Sequence, residues 1–407
     1  MKLAFAMNAT VIIGFAEALS APEVAWSLVD RGFNVVAFSR KGRRSSLQHS
    51  RFVRVFEIMS PEVDFLQAIN QLKAEAVRVK EKSSGALALM PLDDEAVWLC
   101  GQADFAGDMI VIGPRGEAAE VALNKQKQVE LAQAAGFRVP LTRYIERIED
   151  IWEKEINFPT IFKPAMAVQK NGPALVKGAS WICADRAELE SAADAWAGRM
   201  PMLLQRFIPG VGEGLFGLAT RQGIVAWSAH RRLRMMNPHG SGASACAVVP
   251  KIDQPSQSAA ERFIEASGWL GLFMVEMLRD ESGNLWFIEF NGRSWGSMAL
   301  ARRSGFEYPA WAVESALAAT GTLTDIPKEP DGSLVCRHLG REILHLLFVL
   351  RGSKSKALTR WPSIWSALPQ VFGIGRNHHW YNWRRDDPKV FFYDCYNTLR
   401  DQLSRPS

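Results

Sequence analysis

Short apolar runs recur along the first 115 residues, with amphipathic segments between them. LAFAM (3–7), FNVVAF (33–38), LALMPL (87–92), AVWLC (96–100) and MIVIG (109–113) have the length and composition of buried strands. Residues 21–31, 61–73 and 71–82 repeat apolar positions every three or four residues, which predicts helices. Strands alternating with helices predict a parallel sheet covered on its faces.

From Glu117 the pattern changes. EVALNKQKQVELAQAAGFRVPLTRYI reads as one long helix closed at Gly136, then a Pro-marked turn into a strand. PTIFKPAM, the Gly- and Lys-bearing link QKNGPALVKGAS, a helix over 185–197 and the strand MLLQRFI follow. Next come GLFGLATRQGIVAWSAHRRLRM, a Gly-rich loop, a helix over 257–267 and the hairpin GLFMVEMLRDESGNLWFIEFN. Hairpins mixed with helices predict an α+β unit. The expected division is an α/β domain over 1–116, an α+β domain over 117–325 with a lid subdomain at about 145–210, and a helical extension over 326–407. HLGREILHLLFVL (338–350) is the main amphipathic helix of that extension.

Composition sets limits. The 407 residues are 48% hydrophobic and 22% charged, with a net charge of +5. That is an ordinary globular balance for two or three domains, and nucleic acid is not an expected partner. The charge is uneven, however. From Ile326 onward stand 13 Lys/Arg against 7 Asp/Glu, with Trp361, Trp365, Trp380 and Trp383 among them. This predicts a helical cap packed on the main body, with a docking surface for an anionic lipid or carrier as the alternative.

Five scattered cysteines without C-x-x-C predict neither disulfides nor zinc, and the seven histidines form no metal pattern. MKLAFAMNATVIIGFAEALS imitates a secretory leader, but Asn8, Thr10 and Glu17 interrupt it. APEVAWSLVDRGFNVVAFSR continues it as one folded unit, so a cytoplasmic location is expected. No apolar stretch reaches the roughly 18 residues of a spanning helix. Neither G-x-G-x-x-G after the first strand nor a Walker A sequence is present.

Candidate chemistry gathers in the last hairpin. Alternate side chains of a strand share a face, so Trp286, Ile288 and Phe290 point one way while Glu289, Asn291 and Arg293 point the other. With ESGN (281–284) as a four-residue loop, Glu276 stands opposite Glu289. Opposed carboxylates destabilise a sheet unless a cation lies between them. Carboxylate, amide, water and phosphate oxygens suit Mg²⁺; a solvated polar face is the other reading. Lys125 at a helix start and Lys163 at the end of an apolar strand are compact charges suited to phosphate, or lysines lying along apolar surface. HRRLR (230–234) precedes NPHGSGAS, whose glycines let backbone N–H groups approach an anion.

The order of these pieces is specific where each alone is weak. NK, a helix and G-x-x-V-P, then FPTIFKP, LLQRFIPGVGEG, HRRLR with GSGAS, and VEM with IEFNGR together resemble the ATP-grasp superfamily over residues 117–312. The first 115 residues resemble the small parallel-sheet domain that precedes that fold. The likeness is to carboxylate–amine ligases and carbamoyl-phosphate-synthase-like carboligases, which implies ATP and Mg²⁺ or Mn²⁺ as cofactors. It implies that Lys125 and Lys163 contact ATP phosphates. Gln205, Arg206, Phe207 and Ile208 would form the hinge whose backbone pairs with adenine, and Glu213 would hold the ribose. Glu276, Glu289 and Asn291 would hold the metal, and Arg293 would steady the transferred phosphoryl group. Gln205 stands where many relatives have Glu, its carbonyl able to accept the adenine amino group. N-G-R replaces the frequent N-P-R, freeing the backbone at Gly292. His230, Arg231 and Arg234 are candidates for holding the acceptor carboxylate, or for gating a loop at 236–244 expected to close over the phosphates.

The implied reaction is attack of a carboxylate on the γ-phosphate of ATP, giving an acyl phosphate and ADP, then displacement of phosphate by an amine. Positioning and charge neutralisation carry such chemistry, which suits a sequence without a Ser–His–Asp or Cys–His arrangement. The partners are then a small-molecule carboxylate and an amine. The alternatives are a carboxylase or carbamoyl-type enzyme using bicarbonate, and a catalytically silent nucleotide-binding scaffold. Neither the substrate pair nor the oligomeric state has a readable code in the sequence.

Overall fold

The structure, a computed structural model, describes residues 9–403 except 106–108, 239, 318–322, 324–325, 328–329, 331, 354–355, 359–360 and 374. LAFAM lies outside the described residues. The first described strand is Ala9–Gly14, buried throughout. Thr10, which breaks the apolar run, sits on it with its hydroxyl bonded to Ser83.

Five parallel strands lie in the order Arg54–Ile58, Asn34–Arg40, Ala9–Gly14, Ala86–Pro91, Met109–Val111. Helices Ala21–Asp30, Phe65–Glu81 and Asp94–Gln102 pack against them. AVWLC is therefore helical and not a strand. Asp93 caps that helix by accepting the Ala96 N–H, and a cap outweighs the strand preference of a short apolar run. The two helices expected over 61–73 and 71–82 are one, opened by the Asp64 cap. Arg54–Ile58 is an edge strand whose polar residues hide it from pattern reading.

The single helix expected from Glu117 is two, Glu117–Leu123 and Lys125–Ala134. Asn124 between them is extended, bridges to Met166, and caps the second helix by accepting the Gln126 and Lys127 N–H groups.

A four-stranded antiparallel sheet follows in the order Trp181–Cys183, Thr160–Pro164, Met202–Arg206, Thr142–Ile145, backed by helix Arg186–Trp196. The link 165–180 carries a small hairpin of Gln169–Asn171 with Ala174–Val176. This hairpin docks on the parallel-sheet unit. Leu175 enters that unit's core, and the Phe65 and Leu175 N–H groups donate to Pro173 O and Pro61 O.

The largest sheet runs Leu285–Asn291, Gly271–Arg279, Val211–Thr220, Gly223–Asn237, Ser241–Val248, Val335–Arg337, His378–Trp380. The loop expected at 236–244 is mostly the turn and strands of a hairpin, fixed by pairing of Ser241–Val248 with Val335–Arg337. Two of the seven strands thus come from the C-terminal extension. Helix Leu339–Arg351 lies over strands Gly223–Asn237 and Ser241–Val248. There the buried Glu342 holds both Arg234 and Arg337. Asp387 accepts from Trp26 Nε1, Ser50 Oγ and the Arg51 N–H on the first unit. The extension is packed into the fold at both ends. Trp361 donates to Val349 O, while Trp365 is 80% exposed. All five cysteines are buried and unpaired. Among the described residues no helix is long and apolar enough to cross a membrane.

Candidate active site

Glu276 does stand opposite Glu289, with Asn291 opposite Met274. The register arises by an unexpected route. Arg279 pairs with Leu285, so the loop is five residues, and a bulge leaves Ile288 unpaired and restores the opposition. The bulge also changes which aromatics face inward: Phe287 and Phe290 are fully buried, while Trp286 and Ile288 are half-buried. Glu276, Glu289 and Asn291 share the opposite face. Gln128 ties the Lys125 helix to this strand, donating to Phe290 O and accepting the Phe290 N–H.

Each carboxylate already holds a cation. Lys125 Nζ lies 3.3 Å from Glu289 Oε2, and Arg232 Nη2 lies 2.8 Å from Glu276 Oε1. Burial opposes the charge on Lys125, but Glu289 outweighs it and holds the pKa above the usual range. Lys163 is placed differently. Its Nζ donates to the neutral Gln205 Oε1 at 2.9 Å, and burial, then repulsion from Lys125, push its pKa down to about 8. An incoming anion would relieve that strain on its charge.

The hinge is held from both sides. Arg206 N–H donates to Leu141 O and Phe207 N–H to Pro159 O. The Gln205 side chain is spent internally: its amide donates to Thr142 Oγ1 and its carbonyl accepts Lys163. One lone pair of the carbonyl on which an adenine amino group was expected is thus already used by Lys163.

Glu213 is turned away from the carboxylates. Gly214 pairs with Glu276, so Glu213 points to the other face of the sheet. There Arg231 and Arg279 both bind it at 2.8 Å. Neither Glu213 nor Arg231 is brought to the carboxylate face. Arg234 is bound to Glu342, away from the cleft. His230 is on the carboxylate side but cannot act as a cation. It is buried, its Nδ1 is 2.6 Å from Ser297 Oγ, and burial with Arg232 nearby pushes its pKa down to about 3.

Arg293 meets Asp94 of the first unit, Nε to Oδ1 at 2.6 Å, and donates to Ser294 O. Burial opposes ionisation of Asp94, yet Arg293 holds its pKa below the usual range. Gly292 is explained by packing: a Cβ there would overlap the Trp269 ring, which excludes the proline of N-P-R.

Two residues escaped sequence reasoning. Arg232 had a signal, since alternation in HRRLR sets it on the face of His230 and away from Arg231. Asp94 had none, because its contact with Arg293 joins distant parts of the chain.

The donor set fits Mg²⁺. Two carboxylates and an amide oxygen share one face, with basic groups now occupying the cation's electrostatic place. Among the described residues no group of three or more His, Cys, Asp or Glu is placed to hold a metal ion by itself. A metal here would depend on phosphate oxygens to complete its shell.

No family model matches the sequence, and no curated protein matches it. Solved structures do resemble it. An L-amino acid ligase from Bacillus licheniformis superposes with a TM-score of 0.58 at 18% identity, over 76% of this chain and 74% of that one. The biotin carboxylase domain of the 2-oxoglutarate carboxylase from Hydrogenobacter thermophilus, solved with MgADP, ADP and bicarbonate, gives 0.60 at 16%, over 81% and 73%. The ADP complex of purK, an N5-carboxyaminoimidazole ribonucleotide synthetase, gives 0.58 at 14%, over 86% and 90%. The α/β unit, the lid-like antiparallel sheet and the large sheet carrying the opposed carboxylates are one architecture with these enzymes: the chain has the ATP-grasp fold.

Proposed function

We propose that this protein is an ATP-dependent ligase that activates a carboxylate as an acyl phosphate and joins it to an amine, releasing ADP and phosphate. The observation that carries this reading is the opposed pair Glu276 and Glu289 with Asn291 on one face, bracketed by Lys125 and Lys163. Glu276, Glu289 and Asn291 would hold Mg²⁺ or Mn²⁺. The metal–nucleotide, when bound, supplies the phosphoryl group and the Lewis acidity for its transfer. Lys163 offers a poorly compensated charge to the phosphates, and Lys125 a second once released from Glu289. Arg293, aimed by Asp94, offsets charge on the transferred group. The Arg206–Ile208 segment would receive the adenine edge: the Arg206 and Phe207 N–H groups are already bound, whereas no backbone carbonyl accepts the Ile208 N–H among the described residues. Small carboxylates and amines are the expected partners, and ATP as co-substrate fits a cytoplasmic setting.

The test is ADP release over a panel of amino acids and sugar acids, with and without added amines, and mass spectrometry of products. Sustained release that needs both an acid and an amine, with an amide product, is expected. Release driven by bicarbonate in place of the organic acid would replace this reading by a carboxylase. Nucleotide binding with no acid-dependent release would replace it by a scaffold.

A further inference from the structure

The two opposed carboxylates and the two basic side chains form a closed set. Lys125 is paired to Glu289 and Arg232 to Glu276, so the face that would take a divalent cation is already neutralised from within. Arg232 reaches Glu276 by crossing the strand Val211–Thr220, which lies between theirs. It crosses at Gly212. A Cβ there would lie 2.6 Å from Arg232 Cδ, and the nearest other atoms are also of that side chain. The missing side chain at 212 is what makes the path open.

We propose that Arg232 is a resident counter-ion of Glu276 that must be displaced for a divalent cation to bind, and that nucleotide phosphates draw it away. Binding is then an exchange. The metal takes the carboxylates, and phosphate oxygens take Lys125 and Arg232, so no charge is left unpaired. Metal without nucleotide has to break the Arg232–Glu276 pair with nothing to receive the guanidinium. The site therefore selects the metal–nucleotide complex over either ion alone. This rests on the metal assignment made above.

The experiment uses the full chain and Mn²⁺ as the probe, its binding followed by electron paramagnetic resonance with and without a non-hydrolysable ATP analogue. The wild type should bind Mn²⁺ alone weakly. Arg232→Gln should tighten Mn²⁺ alone by about tenfold, equivalent to about 1.4 kcal/mol, and should reduce the gain that the analogue brings. Gly212→Ala keeps the arginine but blocks its path, so it too should tighten Mn²⁺ alone. Unchanged Mn²⁺ affinity in both variants, with wild-type thermal melting, overturns the proposal. Glu289→Gln separates the two readings. If it leaves analogue-dependent Mn²⁺ binding intact, the metal assignment itself fails; if it abolishes that binding while Arg232→Gln changes nothing, only the counter-ion role fails.

Discussion

Lys163 gives the sharpest test of the electrostatics. An unfolded chain protonates this lysine at the ordinary 10.5, while the folded protein does so at about 8. Between those values the unfolded state binds more protons, so stability rises with pH through that window. At 1.36 kcal/mol per unit, the charge costs the unliganded fold on the order of 3 kcal/mol at pH 7.5 and on the order of 1 kcal/mol at pH 9.5. Lys163→Met removes the charge and keeps the stem. It also leaves Gln205 Oε1 without its donor, a penalty of about 1–2 kcal/mol that does not change with pH. The expected outcome is a variant more stable than wild type at pH 7.5, by about 1–2 kcal/mol, and a difference that moves toward wild type by about 2 kcal/mol at pH 9.5. Urea unfolding followed by tryptophan fluorescence, without nucleotide, measures it. A difference independent of pH would refute the claim that Lys163 is a strained buried charge. The same variant should bind ATP much more weakly while adenosine binding is spared, which calorimetry separates.

Three further outcomes are expected. Glu289→Gln should lower Mg²⁺-dependent ADP release by about 100-fold or more while circular dichroism is unchanged, because it removes a charged ligand and the partner of Lys125. Asp94→Asn should lower kcat by about tenfold and leave the KM for ATP nearly unaltered, since Arg293 keeps its charge but loses its aim; an equal loss in ATP affinity would assign Arg293 to ground-state binding. Truncation after Pro327 should lower the melting temperature by about 10 °C or give insoluble protein. It removes two strands of the large sheet and strips helix Leu339–Arg351 from the strands beneath it, leaving apolar surface that the shortened chain cannot rebury. A truncated chain that melts like the whole, with full-length protein floating on anionic vesicles at low salt only, would instead make the extension a docking surface.

What could be read from the chain depended on how far each determinant reaches. The opposed Glu276 and Glu289 were legible because alternation and a short loop are local, although the five-residue loop and the bulge at Ile288 are two departures that cancel. A single hydrogen bond from a side-chain cap decides helix boundaries that apolar periodicity leaves open, as at Asp93 and Asn124. A motif fixes residue type but not the face of the sheet: Glu213, given a role by likeness, and Arg231, a candidate through its charge alone, both fall on the face away from Glu276.

The partners of the site follow a different logic. Arg293 finds Asp94 and Arg232 finds Glu276 because tertiary packing brings them together, and nothing in either local sequence specifies the pairing. Yet charge balance makes such partners necessary. Two carboxylates on one face, half out of water, demand cations in the unliganded protein as much as in the liganded one. The fold meets that demand with Lys125 and Arg232, and under the proposed exchange the same two side chains would pass to phosphate as a metal took their carboxylates. On that proposal the resting site would be a charge-for-charge image of the occupied one. That makes the spare cation Lys163, and not the paired ones, the group whose strain nucleotide binding would relieve.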